Sequence, residues 1–279
     1  MTKKRVSLSI SSELINLLDT YVDGINIKSR SEAVEKFLRE RLSDKRTAVF
    51  LAGGKKKDIM IEDTEILRPL VDIGGKTLIE DNIERCRIAG YTNIFIVGSS
   101  FLISKLYEVL GDGKKYGVSI KYVEDSKPLG TAKTLERVKD YIKSDFLFLP
   151  CDHYFDFDIK KVRDFHITNK STATIAVHAR TNISPEKFGI VEMDGSQITY
   201  LEEHPKEPKS NLIGVFIGFL KPEIFDYIPP GNIRWSLQEN VFPKLVKEGK
   251  MCGYPVPSNW ANIHTMRDVK KVREMYKNP

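Results

Sequence analysis

Two places in the sequence combine a buried strand pattern with residues that can handle phosphate. In the first, the apolar run Ala48-Val49-Phe50 leads into Leu51-Ala52-Gly53-Gly54, which predicts a strand that ends in a glycine turn. Such a turn exposes backbone N–H groups with no Cβ in the way, and these groups can bind phosphate oxygens. In the second, Asp152 follows an apolar run at residues 146–150. A carboxylate in that position can hold Mg²⁺ against phosphate oxygens.

From residue 48 onward, short apolar runs alternate with helical patterns. The predicted strands are residues 49–51, 94–97, 118–123 and 146–150, and the predicted helices are residues 77–89, 100–110 and 131–142. This alternation is typical of an α/β fold with a mostly parallel, Rossmann-like sheet. Binding sites in such folds lie at the carboxyl ends of the strands. Because Gly53-Gly54 and Asp152 both follow a predicted strand, we expect them to lie in one site.

A series of short motifs runs in order through the same part of the chain. They are Leu51-Ala52-Gly53-Gly54, Arg68-Pro69-Leu70 with residues 71–80, Pro128-Leu129-Gly130-Thr131-Ala132, Pro150-Cys151-Asp152, Phe188-Gly189-Ile190-Val191-Glu192, Glu203-His204-Pro205, Val241-Phe242-Pro243-Lys244-Leu245 and Trp260-Ala261-Asn262-Ile263. Their order resembles that of the sugar-phosphate nucleotidyltransferases, which make nucleotide-sugars from a nucleoside triphosphate and a sugar 1-phosphate. The resemblance covers about residues 48–275 and implies a nucleotidyltransferase-type, GT-A-like fold.

The resemblance implies ligand-binding roles for a set of positions along this series. They are Leu51, Ala52, Gly53, Gly54, Arg68, Glu124, Gly130, Thr131, Asp152, Gly189 and Glu203. The two glycine turns would bring backbone close to the nucleotide, with Glu124 near the nucleobase. Asp152 would bind Mg²⁺, and Gly189 and Glu203 would contact the sugar. Taken singly, each residue has an ordinary explanation as a turn, a helix cap or a solvated side chain.

Four positions depart from the family's pattern. Asp58 stands where the family has an arginine that steadies the triphosphate, and Arg68 stands in place of a lysine. His204 replaces the lysine that neutralises the sugar phosphate, and Asn262 replaces the second metal carboxylate. Phosphoryl transfer depends on positioned cations, and loss of one such group costs on the order of 10²–10³ in rate. We therefore expect a pocket that binds ligand but barely turns over, and we assign no catalytic residue.

An active enzyme is the alternative that these departures leave open. It would need the lysines at positions 55–57 to supply the charge of the missing arginine. It would also need Asp156 or Asp158 to bind a metal ion together with Asp152.

The first 46 residues have a pattern of their own. Residues 5–10 alternate polar and apolar side chains with a period of two, which predicts a half-buried strand. A helix capped by Ser11 or Ser12 should follow and end at Asp23-Gly24, and a second helix should be capped by Ser31. One strand and two helices cannot bury enough surface to fold alone. We therefore expect two chains to pair these strands antiparallel.

This arrangement resembles the ribbon-helix-helix family of DNA-binding proteins, over residues 3–43. The resemblance implies that the outward side chains of the strand read bases and that the start of the second helix binds a DNA phosphate. The DNA-binding residues would then be Arg5, Ser7, Ser9, Ser29, Arg30 and Ser31. The alternative is that the segment only dimerises the protein.

Composition limits the other classes of function. Three widely spaced cysteines without a CxxC motif argue for a reducing compartment and against a disulfide framework or a structural zinc site. No apolar run approaches the ~20 residues of a membrane span, so we expect a cytoplasmic protein. Residues 1–46 hold ten Lys/Arg against seven Asp/Glu, half of the formal net charge of +6, which is compatible with a polyanion partner. Abundant Lys, Glu and Ile are typical of thermophilic, including archaeal, proteins.

Together these expectations describe a ligand-responsive transcription regulator. A homodimer, or a higher oligomer, would bind a palindromic double-stranded DNA operator through residues 1–46. Residues 47–279 would sense a nucleotide, a sugar phosphate or a nucleotide-sugar, with Mg²⁺ as the one cofactor that could accompany the nucleotide. The alternative is an active sugar-1-phosphate nucleotidyltransferase that also binds DNA and forms a nucleoside diphosphate sugar and pyrophosphate.

Overall fold

The computed structural model describes residues 6–43, 46–54, 56–179, 188–257 and 259–277. The chain forms two compact units, Met1–Lys45 and Arg46–Pro279. Within the described ranges, no helix has both the length and the apolar character that crossing a bilayer requires.

The smaller unit contains two helices joined by a tight loop. Helix α1 spans Ser12–Asp19 and helix α2 spans Arg30–Ser43. Ser11 caps α1 by accepting a hydrogen bond from the backbone N–H three residues later. In the loop, Asp23 accepts three backbone N–H groups, that of Ile27 among them, and these bonds lower the pKa of its carboxyl group. The carboxylate of Asp23 therefore organises the backbone of the loop, in which the side chain of Ile27 is buried.

The boundaries of both helices differ from the sequence prediction. Helix α1 ends at Asp19, before the predicted stop at Asp23-Gly24, because a turn follows it directly. Helix α2 is capped by Ser29, whose hydroxyl oxygen accepts the backbone N–H three residues later. Ser31, the predicted cap, therefore lies inside the helix.

The strand predicted at residues 5–10 is not formed in the single chain. Residues 6–10 have no regular secondary structure, and Arg5 lies outside the described residues. The backbone groups of a lone strand have nothing to bond with, so this segment requires a partner before it can be a strand. Its apolar side chains Val6 and Leu8 are 72% and 62% exposed.

The larger unit alternates strands and helices. In its described part the strands are β1 Arg46–Ala52, β2 Tyr91–Gly98, β3 Ser119–Glu124, β4 Phe146–Pro150, β5 His153–Phe155, β6 Ala173–Ala179, β7 Gly189–Asp194, β8 Gln197–Glu203, β9 Leu212–Leu220, β10 Met251–Pro255 and β11 Trp260–Asn262. The α-helices are α3 Leu78–Ile88, α4 Ser100–Leu110, α5 Thr131–Glu136, α6 Ile159–Asn169, α7 Phe242–Lys247 and α8 Met266–Lys277. Helix α5 is shorter than the predicted 131–142, because the backbone leaves the helical conformation at Val138 and continues as a 3-10 turn.

Nine strands form one mixed sheet in the order β3-β2-β1-β4-β9-β6-β10-β8-β7. Strands β3, β2, β1 and β4 are parallel. Strand β9 is antiparallel to both β4 and β6, and β7 is antiparallel to β8 and β9. Strand β10 is parallel to β6 and antiparallel to β8. The predicted parallel arrangement therefore holds for β1 to β4 and for the β6–β10 pair, whereas the other strand pairs of the second half are antiparallel. The parallel half brings the carboxyl ends of β1, β3 and β4 to one edge.

Strand β1 is buried on both faces because its side chains alternate between two helix layers. Ala48 and Phe50 belong to the core that includes residues of α3, α4 and α6. Val49 and Leu51 belong to the core that includes residues of α5 and α7. A strand covered on both faces reads as a continuous apolar run, which is why this segment was recognisable in the sequence.

A separate two-stranded sheet joins the end of β4 to the last part of the chain. Strands β5 and β11 pair antiparallel, with Asn262 opposite His153. Helix α8 is anchored beside them through Val269 and Val272, which share a buried cluster with Ala261 and Ile263. This small sheet thereby places residues that are far apart in sequence next to each other.

Candidate functional site

The glycine turn after β1 lies at the end of a central strand, as the sequence predicted. Gly54 has a φ of +122°, a conformation that favours glycine. Gly53 packs against α5, where an added Cβ would lie 2.9 Å from Oγ1 of Thr134. A side chain at either position would therefore disturb the backbone that is expected to approach phosphate. Of the lysines at 55–57, Lys55 lies outside the described residues and the side chains of the other two are likewise not described.

The loop after β3, predicted to approach the nucleobase, is tied to the glycine turn by Asp125. This buried carboxylate accepts a hydrogen bond from Oγ1 of Thr134 at 2.7 Å. Because Thr134 also contacts Gly53, the two loops share one support. Glu124 lies at the very end of β3 and accepts a hydrogen bond from the hydroxyl of Ser100.

Gly130 and Thr131 close this loop against a segment from far along the chain. Gly130 has a φ of +102°, and a Cβ there would lie 2.5 Å from the backbone oxygen of Trp235. Oγ1 of Thr131 accepts the backbone N–H of Leu237 at 2.9 Å and donates to Oε1 of Gln238 at 2.8 Å. The loop backbone is therefore held in place by contacts that require glycine at one position and a hydroxyl at the next.

Asp152 and Asn262 lie on neighbouring segments because β5 pairs with β11. The backbone N–H of Ile263 donates to the carbonyl oxygen of Asp152 at 3.0 Å, directly beside the Asn262–His153 pair. Oδ1 of Asn262 is buried and has no hydrogen-bond partner among the described residues. An orphaned buried acceptor is costly unless a ligand satisfies it. It is therefore an observation that points to a ligand beside Asp152.

Arg68 places a buried positive charge at the same point. The residue is 8% exposed, and its Nη1 lies 3.3 Å from Oδ2 of Asp152. Its Nε donates to the carbonyl oxygen of Met60 at 2.9 Å, which fixes the plane of the guanidinium group. A buried cation requires such partners. Arg68 is thus positioned to face both the carboxylate and any phosphate that approaches it.

Two histidines complete the surroundings of Asp152. His153 accepts a hydrogen bond from the indole N–H of Trp260 at 3.3 Å, and its Nε2 lies 4.0 Å from Oδ1 of Asp152. Burial lowers the pKa of His153 to about 4, although the charge of Asp152 acts in the opposite direction. Burial, followed by the charge of Arg68, also lowers the pKa of His264. Both imidazoles are therefore neutral near pH 7, and neither adds positive charge to the site.

Gly189 and Glu203, the predicted sugar-contacting pair, lie opposite each other in β7 and β8. A Cβ on Gly189 would collide with Oε1 of Glu203, so glycine leaves the room that the carboxyl group occupies. Burial raises the pKa of Glu203. His204 has a φ of +53°, and its Nε2 lies 3.8 Å from Oε2 of Glu203. Glu203 and His204 therefore place one carboxyl group and one imidazole next to each other.

A cavity of about 950 Å³ borders this side. It is lined by Phe188, His204, Trp260, Asn262 and His264, together with side chains of α8. Small-molecule sites span ~300–1,000 Å³, so the cavity is large enough for a substrate. Asn262 and His204, two of the positions that depart from the family's pattern, both line this cavity.

Asp156 and Asp158, the predicted substitutes for a metal carboxylate, both accept hydrogen bonds from the protein, and Oδ1 of Asp156 is buried without a hydrogen-bond partner among the described residues. Asp158 caps α6 by accepting the backbone N–H of Lys160 at 2.8 Å, and Oδ2 of Asp156 accepts the amide of Asn259 at 3.1 Å. In the described part of the chain, no group of three or more His, Cys, Asp or Glu residues could hold a metal ion. A metal ion would therefore depend on Asp152, Asn262 and the oxygens of the ligand itself.

Two of the six residues predicted to contact DNA, Ser29 and Arg30, make contacts within the smaller unit. The guanidinium of Arg30 forms a two-pronged ion pair with Asp19, at 2.5 and 2.6 Å. The carboxylate of Glu32 accepts the backbone N–H of Lys28, so a negative charge lies at the start of α2 where a DNA phosphate was expected. The hydroxyl oxygen of Ser29 accepts the backbone N–H of Glu32 and thereby caps the helix. Ser7 and Ser9 are exposed on the unpaired segment, and Arg5 is outside the described residues.

Three supporting residues were missed by the sequence analysis. Asp125 could have been found, because it is a charged residue directly after a predicted strand and beside Glu124. Thr134 and Trp235 carry no comparable signal. They are ordinary residue types, and Trp235 reaches Gly130 only through the tertiary fold.

The buried histidines predict an acid-sensitive stability. Burial lowers the pKa of both His153 and His166 from 6.5 to about 4. Between these pH values the unfolded chain binds more protons than the folded one, so the free energy of unfolding falls as the pH drops from 6.5 to 4. Each histidine contributes at most about 3 kcal/mol to that fall. We expect His153→Gln to flatten the pH dependence in urea unfolding between pH 4 and 6.5, and His153→Gln/His166→Gln to flatten it further. An unchanged slope in both variants would show that these imidazoles stay protonated in the folded protein.

Known proteins with similar sequences are nucleotide-sugar enzymes by name. The chain is 27% identical over 237 residues to a mannose-1-phosphate guanyltransferase of Saccharomyces cerevisiae, a match that covers 82% of the chain and 64% of the relative. It is 30% identical over 226 residues to the candidate mannose-1-phosphate guanylyltransferase 3 of Arabidopsis thaliana (76% and 65%). It is 27% identical to a mannose-1-phosphate guanylyltransferase of Mycobacterium tuberculosis (79% and 62%). The chain thus spans less than two thirds of the length of these relatives.

Solved structures share the fold of the larger unit. A candidate glucose-1-phosphate thymidylyltransferase from Bacillus anthracis, solved in complex with sucrose, superposes with a TM-score of 0.75 at 21% identity, over 84% of this chain and 96% of that one. HddC from Yersinia pseudotuberculosis superposes with a TM-score of 0.68 at 21% identity, over 83% and 99%. The predicted nucleotidyltransferase-type α/β fold is confirmed, whereas a ribbon-helix-helix domain in residues 1–45 finds no support in these matches.

The relatives overturn the predicted function. They are named as enzymes and not as regulators, so the prediction of a catalytically degraded, DNA-binding transcription regulator is wrong. Four altered charges are not sufficient grounds to deny activity when a buried Arg68 and an unsatisfied Asn262 oxygen remain in place. The sequence profile of the nucleotidyl transferases matches residues 47–278, and the chain therefore belongs to that family.

Proposed function

We propose that the chain is an active sugar-1-phosphate nucleotidyltransferase, and that GTP and mannose 1-phosphate are its substrates. An oxygen of the sugar phosphate would attack the α-phosphorus of the nucleotide, forming a nucleoside diphosphate sugar and releasing pyrophosphate. The observation that carries the proposal is the unsatisfied oxygen of Asn262 beside Asp152 and Arg68. The names of the relatives supply the choice of substrates.

The nucleotide is proposed to bind between the loops that follow β1 and β3. Gly53 and Gly54 would offer backbone N–H groups to the phosphates. Glu124 lies at the end of β3 and offers a carboxylate, which only accepts hydrogen bonds when ionised. Guanine presents two adjacent N–H donors to such a group, whereas uracil and thymine present a donor between acceptors. Glu124 therefore favours a guanine nucleotide.

Nucleotidyl transferases commonly use Mg²⁺ with the nucleotide, and the residues present fit that ion. Magnesium prefers oxygen ligands, and Asp152 supplies a carboxylate while Asn262 supplies an amide oxygen that has no other partner. When bound, the ion would supply positive charge to the phosphate oxygens. The amide of Asn262 carries no charge. Of these two side chains, only that of Asp152 would offer the ion a negative charge.

The chain's own groups would stabilise the charge that builds up during transfer. Arg68 is held by Met60 and Asp152, so its guanidinium needs no rearrangement to face an incoming phosphate. The charge of Arg68 is permanent. It would therefore keep the electrostatic role of the lysine that the family has at this position. Glu203, which lies beside His204 of the cavity lining, would accept hydrogen bonds from hydroxyl groups of the sugar when ionised. These roles position both substrates for direct displacement and require no covalent intermediate with the protein.

Pyrophosphate release tests the proposal. The full chain would be incubated with Mg²⁺, each of GTP, ATP, CTP, UTP and dTTP, and either mannose 1-phosphate or glucose 1-phosphate. We expect the fastest release with GTP and mannose 1-phosphate. Asp152→Ala should lower the rate by about 10²–10³, because a transition-state contact is lost. Asp158→Ala, which removes only a helix cap, is the matched control and should retain the rate within a few fold. No release above the Asp152→Ala background with any pair would refute the proposal.

We also propose that the first 45 residues pair two chains and leave catalysis to residues 47–279. The support is an apolar face that the single chain leaves uncovered, with Val6, Leu8, Leu14 and Leu17 each more than half exposed. The alternation in residues 5–10 suits an antiparallel pair of strands, one from each chain. Both substrates are intracellular phosphates, which agrees with the expected cytoplasmic location.

Sedimentation measures this pairing. Val6→Ser/Leu8→Ser should shift the protein from dimer to monomer, because the substitutions remove apolar area that only a partner can cover. Ser7→Ala/Ser9→Ala alters the opposite face of the same segment and should leave the dimer intact. A wild-type monomer, or a dimer that survives the apolar substitutions, would show that the segment does not join the chains.

A further inference from the structure

Helix α8 borders the cavity with a row of cations that the proposed mechanism has not used. Arg267, Lys270 and Lys271 line the cavity on that side, while His204 and Asn262 line it on the other. Residues three and four apart lie on one face of a helix, so the three cations form a single basic strip. The strip begins in the first turn of α8, where the helix dipole also favours a negative charge.

Two of these cations have no partner of their own. Among the described residues, no hydrogen bond or ion pair involves the side chain of Arg267 or Lys270, and both side chains are exposed. Arg273, two turns further along the same helix, differs: its Nε donates to the carbonyl oxygen of Asp72 at 3.0 Å. Among the described residues, Arg267 and Lys270 therefore lack the kind of structural contact that Arg273 makes.

Asp268 is one of the acidic residues that line the cavity. Burial opposes ionisation of Asp268, but the backbone N–H groups of Thr265 and His264 outweigh burial and lower the pKa of its carboxyl group. The ionised carboxylate of Asp268 therefore accepts the backbone N–H groups at the start of α8. Glu62 and Glu274 also line the space. A lining that mixes cations with carboxylates suits a ligand that carries both a phosphate and hydroxyl donors.

The sugar phosphate of the proposed reaction requires a cation on the side of the cavity where His204 lies. His204 stands where the resemblance has the lysine that neutralises the sugar phosphate, and an imidazole is at best partly charged near neutral pH. Arg68 is already paired with Asp152. The sugar phosphate, a dianion, would otherwise enter a cavity whose only remaining cations in the described residues are those of α8.

We infer that Arg267 and Lys270 bind the phosphate of the sugar 1-phosphate, in place of the lysine that is absent at position 204. This inference rests on the proposed function for the identity of the ligand. The two side chains are positioning residues for the second substrate and do not contact the nucleotide. The sugar phosphate would thus be bound by helix α8, whereas the resemblance implies a lysine in the loop after β8.

Binding and kinetics of defined variants test this inference. Isothermal titration would measure the Kd of mannose 1-phosphate, of unphosphorylated mannose and of GTP for the wild type, Arg267→Ala, Lys270→Ala and Arg267→Ala/Lys270→Ala. Each single substitution should raise the Kd of mannose 1-phosphate about tenfold, because a hydrogen-bonded charge pair is lost. The Kd of GTP should stay unchanged. Arg267→Lys, which keeps the charge, should recover most of the affinity.

Lys277→Ala is the matched control for net charge, because Lys277 is an exposed cation at the end of the same helix and does not line the cavity. It should leave every Kd unchanged. Because all substituted side chains are exposed, the variants should melt at the wild-type temperature. An equal Kd for mannose 1-phosphate in the wild type and the double variant would overturn the inference, as would an equal loss of GTP affinity. So would a wild type that binds neither mannose 1-phosphate nor glucose 1-phosphate.

The same variants separate this inference from the proposed function. If the wild type releases pyrophosphate and the double variant does so with an unchanged KM for the sugar phosphate, the inference fails and the function stands. If the wild type binds mannose 1-phosphate through Arg267 and Lys270 but releases no pyrophosphate with any nucleotide, the function fails and the binding site stands.

Discussion

The antiparallel pairing of β5 with β11 is the constraint on which the site depends. It joins a segment that directly follows the central strand β4 to one that lies near the end of the chain. The pairing is held from both sides: the amide of buried Asn82 donates to the carbonyl of His153, and the indole of Trp260 donates to the ring of the same histidine. Without it, Asn262 would not lie beside Asp152, and helix α8 would have no place against the cavity.

A second feature of the site is the small number of charged side chains around Asp152. The carboxylate is paired with one buried guanidinium, that of Arg68, and the neighbouring segment carries the amide of Asn262 where the resemblance implies a second carboxylate. Removing one negative charge from a metal site weakens the attraction for the ion but also lowers the repulsion of the incoming phosphates. Under the proposed function, the amide at position 262 would be offset in part by the lower repulsion of the phosphates, and Arg68 would supply the permanent positive charge on which phosphoryl transfer depends.

The sequence predicted those parts of the structure that local pattern determines. The glycine turn after β1 and the position of Asp152 after β4 followed from apolar runs that are buried on both faces. The end of α5 at Glu136 and the antiparallel setting of β9 did not follow, because both depend on neighbours remote in sequence. The contacts of Thr134 and Trp235 with the two glycine turns were invisible for the same reason. The error about activity arose because each altered residue was judged by its charge alone, without the surroundings that keep Arg68 buried and the Asn262 oxygen unpaired.

The most direct measurement is the Mg²⁺ dependence of pyrophosphate release in the wild type and in Asn262→Asp. If the Asn262 oxygen and Asp152 together hold the ion, the wild type turns over with GTP and mannose 1-phosphate, and the added carboxylate lowers the Mg²⁺ concentration for half-maximal rate several-fold. A half-saturating Mg²⁺ concentration that is identical in the two proteins, or a wild type that releases no pyrophosphate at any Mg²⁺ concentration, would contradict the account.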